Sequence, residues 1–103
     1  LEVVTMTKKL VSIVYKAFKD GRLTMTKPVF IETDKSDEAL CEQVFHETNT
    51  YQGPIWDAMQ PLPENRGHTA LSVGDSVIIT GVEFTCEEFG FKRRGDGHRQ
   101  HVA

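Results

Sequence analysis

The side chains of this 103-residue chain best suited to chemistry are two cysteines, four histidines and an aspartate in a glycine turn. Cys86 precedes Glu87 and Glu88, with His46 and His68 elsewhere, so a thiol–imidazole nucleophile is the first arrangement to weigh. A reactive thiolate needs an electropositive setting, and two adjacent carboxylates oppose one. Alternation along the strand also places Cys86 with Phe84 on an apolar face, where a free cysteine packs as a small hydrophobe. Cys86 is therefore read as core. A metal centre would need Cys41, His46, His68, Cys86, His98 and His101 to converge, yet none stands in the close paired spacing of zinc sites. Asp75 could act as a base, but a Gly-Asp turn ahead of a strand has a simpler use, its carboxyl fixing the turn through backbone N–H groups. No glycine-rich loop leads from a strand into a helix, so nothing cradles a nucleotide phosphate. The reading assigns no catalytic residue, no metal and no cofactor.

Two other groups suit binding better than catalysis. Lys92, Arg93 and Arg94 form a basic run that could meet nucleic acid or an acidic surface, although such a run is usually just solvated. Ile55, Trp56, Asp57 and Met59 lie in a proline-punctuated stretch that carries the only tryptophan. If one helical turn forms after Pro54, the apolar three share a face and Asp57 marks its rim. Trp56 is then either a lid on the core or a binding anchor.

The elements that must position these residues follow from periodicity. Val11, Ile13 and Tyr15 alternate with polar neighbours, as in a half-buried strand. Asp20-Gly21 is a strong hairpin signal, and Leu23, Met25, Val29 and Ile31 resume the alternation, with Pro28 implying an edge or an interruption. Residues 10–32 are thus predicted to form an antiparallel hairpin. Asp34 or Ser36 can cap a helix whose first turn holds Asp37 and Glu38. Leu40, Cys41, Val44 and Phe45 give that helix an apolar stripe, with Glu42, Gln43 and Glu47 on its other face. After the irregular stretch 49–70, a turn at residues 72–75 leads into a strand from Ser76 to Thr80. Gly81 reverses the chain into Val82–Cys86, and Phe89-Gly90-Phe91 is read as the close of that strand, with a bulge at Gly90. The order β-β-α-loop-β-β makes this an α+β domain, a small mainly antiparallel sheet with one amphipathic helix packed on it. Val77, Ile79, Phe84, Cys86, Leu40, Val44 and Phe45 are the expected core.

Composition sets the outer bounds. The chain has 39% hydrophobic and 26% charged residues, which is ordinary for a globular domain. Its length suits one domain, placed at residues 6–94, with residues 1–5 read as upstream sequence and residues 95–103 as a disordered tail. The net charge of −3 argues mildly against general nucleic-acid binding. No apolar run suggests a membrane span. No signal-peptide pattern opens the chain, so a reducing cytoplasm is expected.

Residues 71–92 also carry a pattern. "LSVGDSV" followed by "CEEFGFK" resembles the C-terminal signature of YodL-like domains, a turn and strand followed by Cys, two residues, Phe-Gly and an aromatic. The preceding "LPENRGHTA" is similar to the approach to that signature, so the likeness spans about residues 62–93. Ser76 departs from it, since an apolar residue commonly follows the Asp, and a one-residue bulge would accommodate the change. Such domains occur as small bacterial proteins and within large proteins of phages and conjugative elements. The resemblance implies a phage or mobile-element accessory protein and brings no active site with it. The expectation is a non-enzymatic modulator that binds a host protein through the loop 51–64 and the acidic helix face. The alternative is nucleic-acid binding through Lys92, Arg93 and Arg94, and a small enzyme ranks third.

Overall fold

The computed structural model describes residues 6–16, 23–62 and 70–95 of the chain. Strand β1 (Thr7–Tyr15) lies inside a six-stranded antiparallel sheet. On one side it pairs with β2 (Thr24–Met25) and β3 (Val29–Thr33), on the other with β4 (Ser76–Ile79), which continues to β5 (Val82–Cys86) and β6 (Phe91–Arg93). Helix α1 (Asp37–Thr50) and the single-turn helix α2 (Pro54–Ala58) connect β3 to β4. This is the expected α+β architecture, with more strands than the predicted order contained. The Asp20-Gly21 turn and residues 1–5, 63–69 and 96–103 lie outside the described residues.

The extra strands have local causes. Val14 faces Met25 whereas Val11 faces Val29, so the second arm of the hairpin carries one residue more than the first. Pro28, which has no N–H to donate, sits in that bulge. Thr26 bridges the gap, its N–H donating to the Ile13 carbonyl at 2.9 Å and its Oγ1 accepting from the Ile13 N–H at 2.9 Å. At the other end, the expected closing segment of β5 is a separate strand. The Glu87 N–H donates to the Gly90 carbonyl at 2.9 Å, and Gly90 adopts a φ of 81°, so the chain reverses at Glu88-Phe89 before β6 begins. A bulge at Gly90 would have left one strand; the positive φ that glycine accepts turns it back instead. No bulge occurs at Ser76, which stands in regular register between Val14 and Thr85.

One face of the sheet builds the core. Val11, Ile13, Tyr15, Val77, Ile79, Phe84 and Cys86 alternate onto it and pack under Leu40, Cys41 and Val44 of α1, with Ile55 of α2, Met59 at its C-terminal cap and Leu71 beside them. Ser36 caps α1, its Oγ accepting from the Ala39 N–H at 3.2 Å. Lys9 ties β1 to the start of the helix, its Nζ 2.7 Å from Asp37 and 2.9 Å from the Lys35 carbonyl. No helix among the described residues covers the opposite sheet face. Leu10, Val14, Met25, Phe30 and Ile78 share it with Ser12, Lys16, Ser76 and Glu83.

The helix is rotated relative to the expected stripe. Glu47 and Thr48 are buried with Leu40, Cys41 and Val44, while Phe45 is 38% exposed. Two polar demands set this orientation. Thr48 Oγ1 accepts from the Leu71 N–H at 3.1 Å, and Glu47 reaches the start of α2. Each demand lies on the inner face, so Phe45 is displaced to the rim. Of the expected core, Phe45 alone is therefore misplaced. Replacing Phe84 by Ala should cost about 3–5 kcal/mol, as large core deletions do. Phe45→Ala should cost less than about 1 kcal/mol, in the range of partly exposed positions. Urea denaturation of both variants checks the pair.

Candidate functional site: the apex of the β5–β6 hairpin and the acidic flank of α1

The stretch around Trp56 is built on a buried carboxyl group. Glu47 Oε1 accepts from the N–H groups of Ile55 at 2.8 Å and Trp56 at 2.9 Å, and Oε2 accepts from Gln43 Nε2 at 2.7 Å. A side chain from α1 thus caps α2, serving N–H groups that the first turn of any helix leaves without internal partners. The fit is close at Gly53, which has a φ of 126° and where a Cβ would overlap the Glu47 carboxyl. Between the helices Tyr51 takes a left-handed conformation, with a φ of 56°, and its N–H closes α1 on the Glu47 carbonyl. The Tyr51 and Trp56 rings meet edge to face at 5.5 Å.

This arrangement corrects the surface expected from the sequence. Ile55 and Met59 are each 1% exposed and belong to the core, because α2 turns its apolar side inward onto the sheet. Trp56 is half-buried against Tyr51, and Asp57 stays exposed. The one face expected to hold all three apolar residues is an inner face.

The basic candidates also separate. Lys92 pairs opposite Thr85 and Arg93 opposite Phe84, so the two side chains emerge on opposite faces of the sheet. Arg94 Nη1 lies 3.2 Å from Glu83 Oε1. Glu83 Oε2 binds Lys16 Nζ and accepts from Ser76 Oγ at 2.6 Å. The run of cations is therefore divided between two faces, and one member is held by a carboxylate. The bonds from Lys16 and then Ser76, with a smaller one from Arg94, hold the Glu83 carboxyl at about 2 rather than the usual 4.5, against the opposing effect of its partial burial.

Neither cysteine is set up as a nucleophile. Both are buried and free. Burial first, then Asp37 and Glu42, pushes the Cys41 thiol up to about 12. Burial and then Asp75 raise that of Cys86 as well. Asp75 is fully buried and holds the turn, as its sequence context suggests. Its Oδ2 accepts from the Ser72 N–H at 2.9 Å and its Oδ1 from the Lys16 N–H at 2.7 Å. His46 is exposed on α1, whereas His68, His98 and His101 lie outside the described residues. Among the described residues no group of three or more His, Cys, Asp or Glu could hold a metal ion.

The surface feature that sequence reasoning missed is Phe89. It is 94% exposed at the apex of the β5–β6 hairpin, more than any other large apolar side chain of the described residues. Grooves open on both sides of it. One, of about 810 Å³, lies against Val73 and Cys86; another, of about 490 Å³, lies against Ala39 and Phe91 of the α1 side. Exposed Glu38, Glu42, Glu87 and Glu88 line them, and half-exposed Phe45 borders a third opening between the two. The signal available in the sequence was the Glu-Glu-Phe-Gly order, which reads as a hairpin tip once Gly90 is recognised as the turn residue rather than a bulge.

The fold is α+β, and its most distinctive surface is an aromatic apex ringed by carboxylates. No protein-family model, curated protein or solved structure matches this chain, so the likeness to YodL-like domains rests on the residues quoted for it. No helix of the described residues is long and apolar enough to cross a membrane.

Glu47→Ala should destabilise the protein by about 1–3 kcal/mol, because it leaves the buried Ile55 N–H and the part-buried Trp56 N–H without an acceptor. Glu47→Gln, which keeps an acceptor oxygen, should cost less in the same urea titration. Glu83 supplies a pH test. Its folded value of about 2 lies below the ordinary 4.5, so its stabilisation is complete above about 4.5 and is lost as pH falls through about 2. Stability measured across that window should fall less steeply in Glu83→Gln than in the parent chain.

Proposed function

We propose that this protein is a non-enzymatic binding module that modulates a host protein by docking on it through the acidic, aromatic apex around Phe89. The observation that carries the reading is the exposure of Phe89. Phe89 does not stand alone: it shares one groove with exposed Val73 and the other with Phe91, and grouped exposed apolar surface rimmed by polar residues marks interaction sites. Aromatic anchors surrounded by polar rims are the usual centre of a protein-binding surface. Phe89 stands between two grooves, so a partner can cover both sides of its ring.

The chemistry of the site favours binding over catalysis. Both thiols are buried and raised, and Asp75 is used in the turn that carries the hairpin. The acidic groups beside Phe89 are exposed and show no arrangement of acid, base and oxyanion donor. Nucleic-acid binding is disfavoured by the division of Lys92 and Arg93 between two faces and by the engagement of Arg94 with Glu83. The phage or mobile-element origin and the cytoplasmic setting belong to the same proposal. They are supported by the YodL-like motif, whose two halves lie side by side: the Gly74 N–H donates to the Cys86 carbonyl at 2.9 Å and the Cys86 N–H to the Asp75 carbonyl at 2.8 Å.

The test is affinity capture from cells carrying the gene, comparing the parent chain with Phe89→Ser. The parent should retain a discrete protein that Phe89→Ser loses, while both share one melting temperature. Equal retention by both chains, or no retained protein, would refute the reading. Truncating a central aromatic anchor typically costs about 2 kcal/mol or more of binding, enough to clear the variant of partner under ordinary washing.

A further inference from the structure

Strand β6 ends the sheet, and its hydrogen-bond register shows what it offers on the outside. The Arg94 N–H donates to the Glu83 carbonyl and the Glu87 N–H to the Gly90 carbonyl, each at 2.9 Å. Bonded pairs alternate with non-bonded ones along an antiparallel ladder. Lys92 therefore bonds inward with Thr85, and the N–H and C=O of Phe91 and Arg93 point away from β5. Among the described residues no strand pairs with that edge. An open row of main-chain donors and acceptors is a template for another strand.

Beside this edge runs the flank of α1. The groove of about 490 Å³ is bounded by Glu38, Ala39 and Glu42 of the helix and by Phe89, Gly90 and Phe91 of the hairpin. An edge strand next to a helix is the setting in which extended peptides add to a sheet, with alternate side chains entering the groove. We infer that this groove takes an extended, basic segment of a partner protein as an added strand on β6. One side chain of the segment packs on Phe89 and Phe91, and a Lys or Arg two residues away meets Glu38 and Glu42. The inference rests on the protein-binding reading above and specifies its mode and the chemistry of its partner.

Charge argues for that occupant over a second copy of this chain. Exposed Glu38 and Glu42 line the groove, exposed Glu87 and Glu88 border the openings beside it, and Arg93 is the cation that β6 contributes on the same face. A second copy paired antiparallel through Phe91 and Arg93 would set Lys92 directly against Lys92. It would also bring two acidic helix flanks together. Like charges directly opposite on neighbouring strands are unfavourable.

The experiment selects binders from a random-peptide display library on the full chain. An enriched peptide is then titrated into the isotopically labelled protein while amide exchange is followed. Selected peptides should alternate apolar and basic residues, and binding should slow exchange of the Phe91 and Arg93 amides without changing the oligomeric state. Methylating the peptide nitrogens that face β6 should abolish binding, and Glu42→Lys should weaken it on the order of tenfold. Peptides that bind in a Phe89-dependent way without protecting the Phe91 and Arg93 amides would overturn strand addition but leave the binding reading standing. Enrichment of acidic or patternless peptides would overturn it too, as would self-association through β6. Protection already present in the free chain and lost on deletion of residues 96–103 would make the occupant the chain's own end, which also refutes the inference. No enriched peptide, together with no Phe89-dependent partner in cells, would sink both.

Discussion

A single buried residue, Asp75, ties the end of β1 and the strand β5 to the turn that precedes β4. One carboxyl oxygen receives the Lys16 N–H at the end of β1, the other receives the Ser72 N–H within the turn, and the Asp75 main-chain carbonyl receives the Cys86 N–H of β5. The Asp75 carboxyl group is fully buried, where an acid without partners would be strongly unfavourable. Those bonds make its burial tolerable and fix where β4 begins relative to β1 and β5. The position of the β5–β6 hairpin follows from that start, and with it the placement of Phe89. Folding and surface display therefore meet at one residue.

Glu47 plays a related part on the helical layer. It links α1 to α2 by capping the shorter helix, and Gly53 leaves it the room to do so. A one-turn helix has little stability of its own. Tethering it to a longer helix allows Ile55 and Met59 to seal one end of the core. The two acidic residues share a logic: each spends a carboxyl group on backbone N–H groups where an element starts, ends or is approached by a turn. Catalysis is left with little at either place, since both groups are already occupied by the fold.

The outer surface is divided unevenly. One sheet face is covered by the helices, and the other mixes Leu10, Phe30 and Met25 with the Lys16–Glu83–Arg94 cluster. The aromatic side chains Phe30 and Phe89 stand at different ends of the sheet. Phe30 lies near Lys8, whose Nζ sits 5.7 Å from the ring centre, so a cation already lies over it. Phe89 has carboxylates around it and, among the described residues, no such cation over it. That difference in surroundings, and the grooves on either side, are why the proposed partner is placed at the hairpin apex.

Local chemistry alone determined much of the fold. Alternation defined β1, β4 and β5, Asp34 and Ser36 announced the start of α1 (Ser36 is the residue that caps it), Pro54 that of α2, and Pro28 the break in the hairpin. These signals are short-range: a cap, a missing N–H or a period of two depends on residues a few positions apart. The turn role of Asp75 and the burial of both cysteines were legible for the same reason. Tertiary structure decided which of two nearly equivalent sides of α1 faces inward. Phe45 favours one rotation by hydrophobicity, but Glu47 and Thr48 must reach the N–H groups of residues 55, 56 and 71, and those lie inside. It likewise drew Ile55 and Met59 into the core and left Phe89 in water. Sequence pattern ranks residues by polarity, whereas burial depends on which backbone groups elsewhere need partners. No local signal carries that requirement.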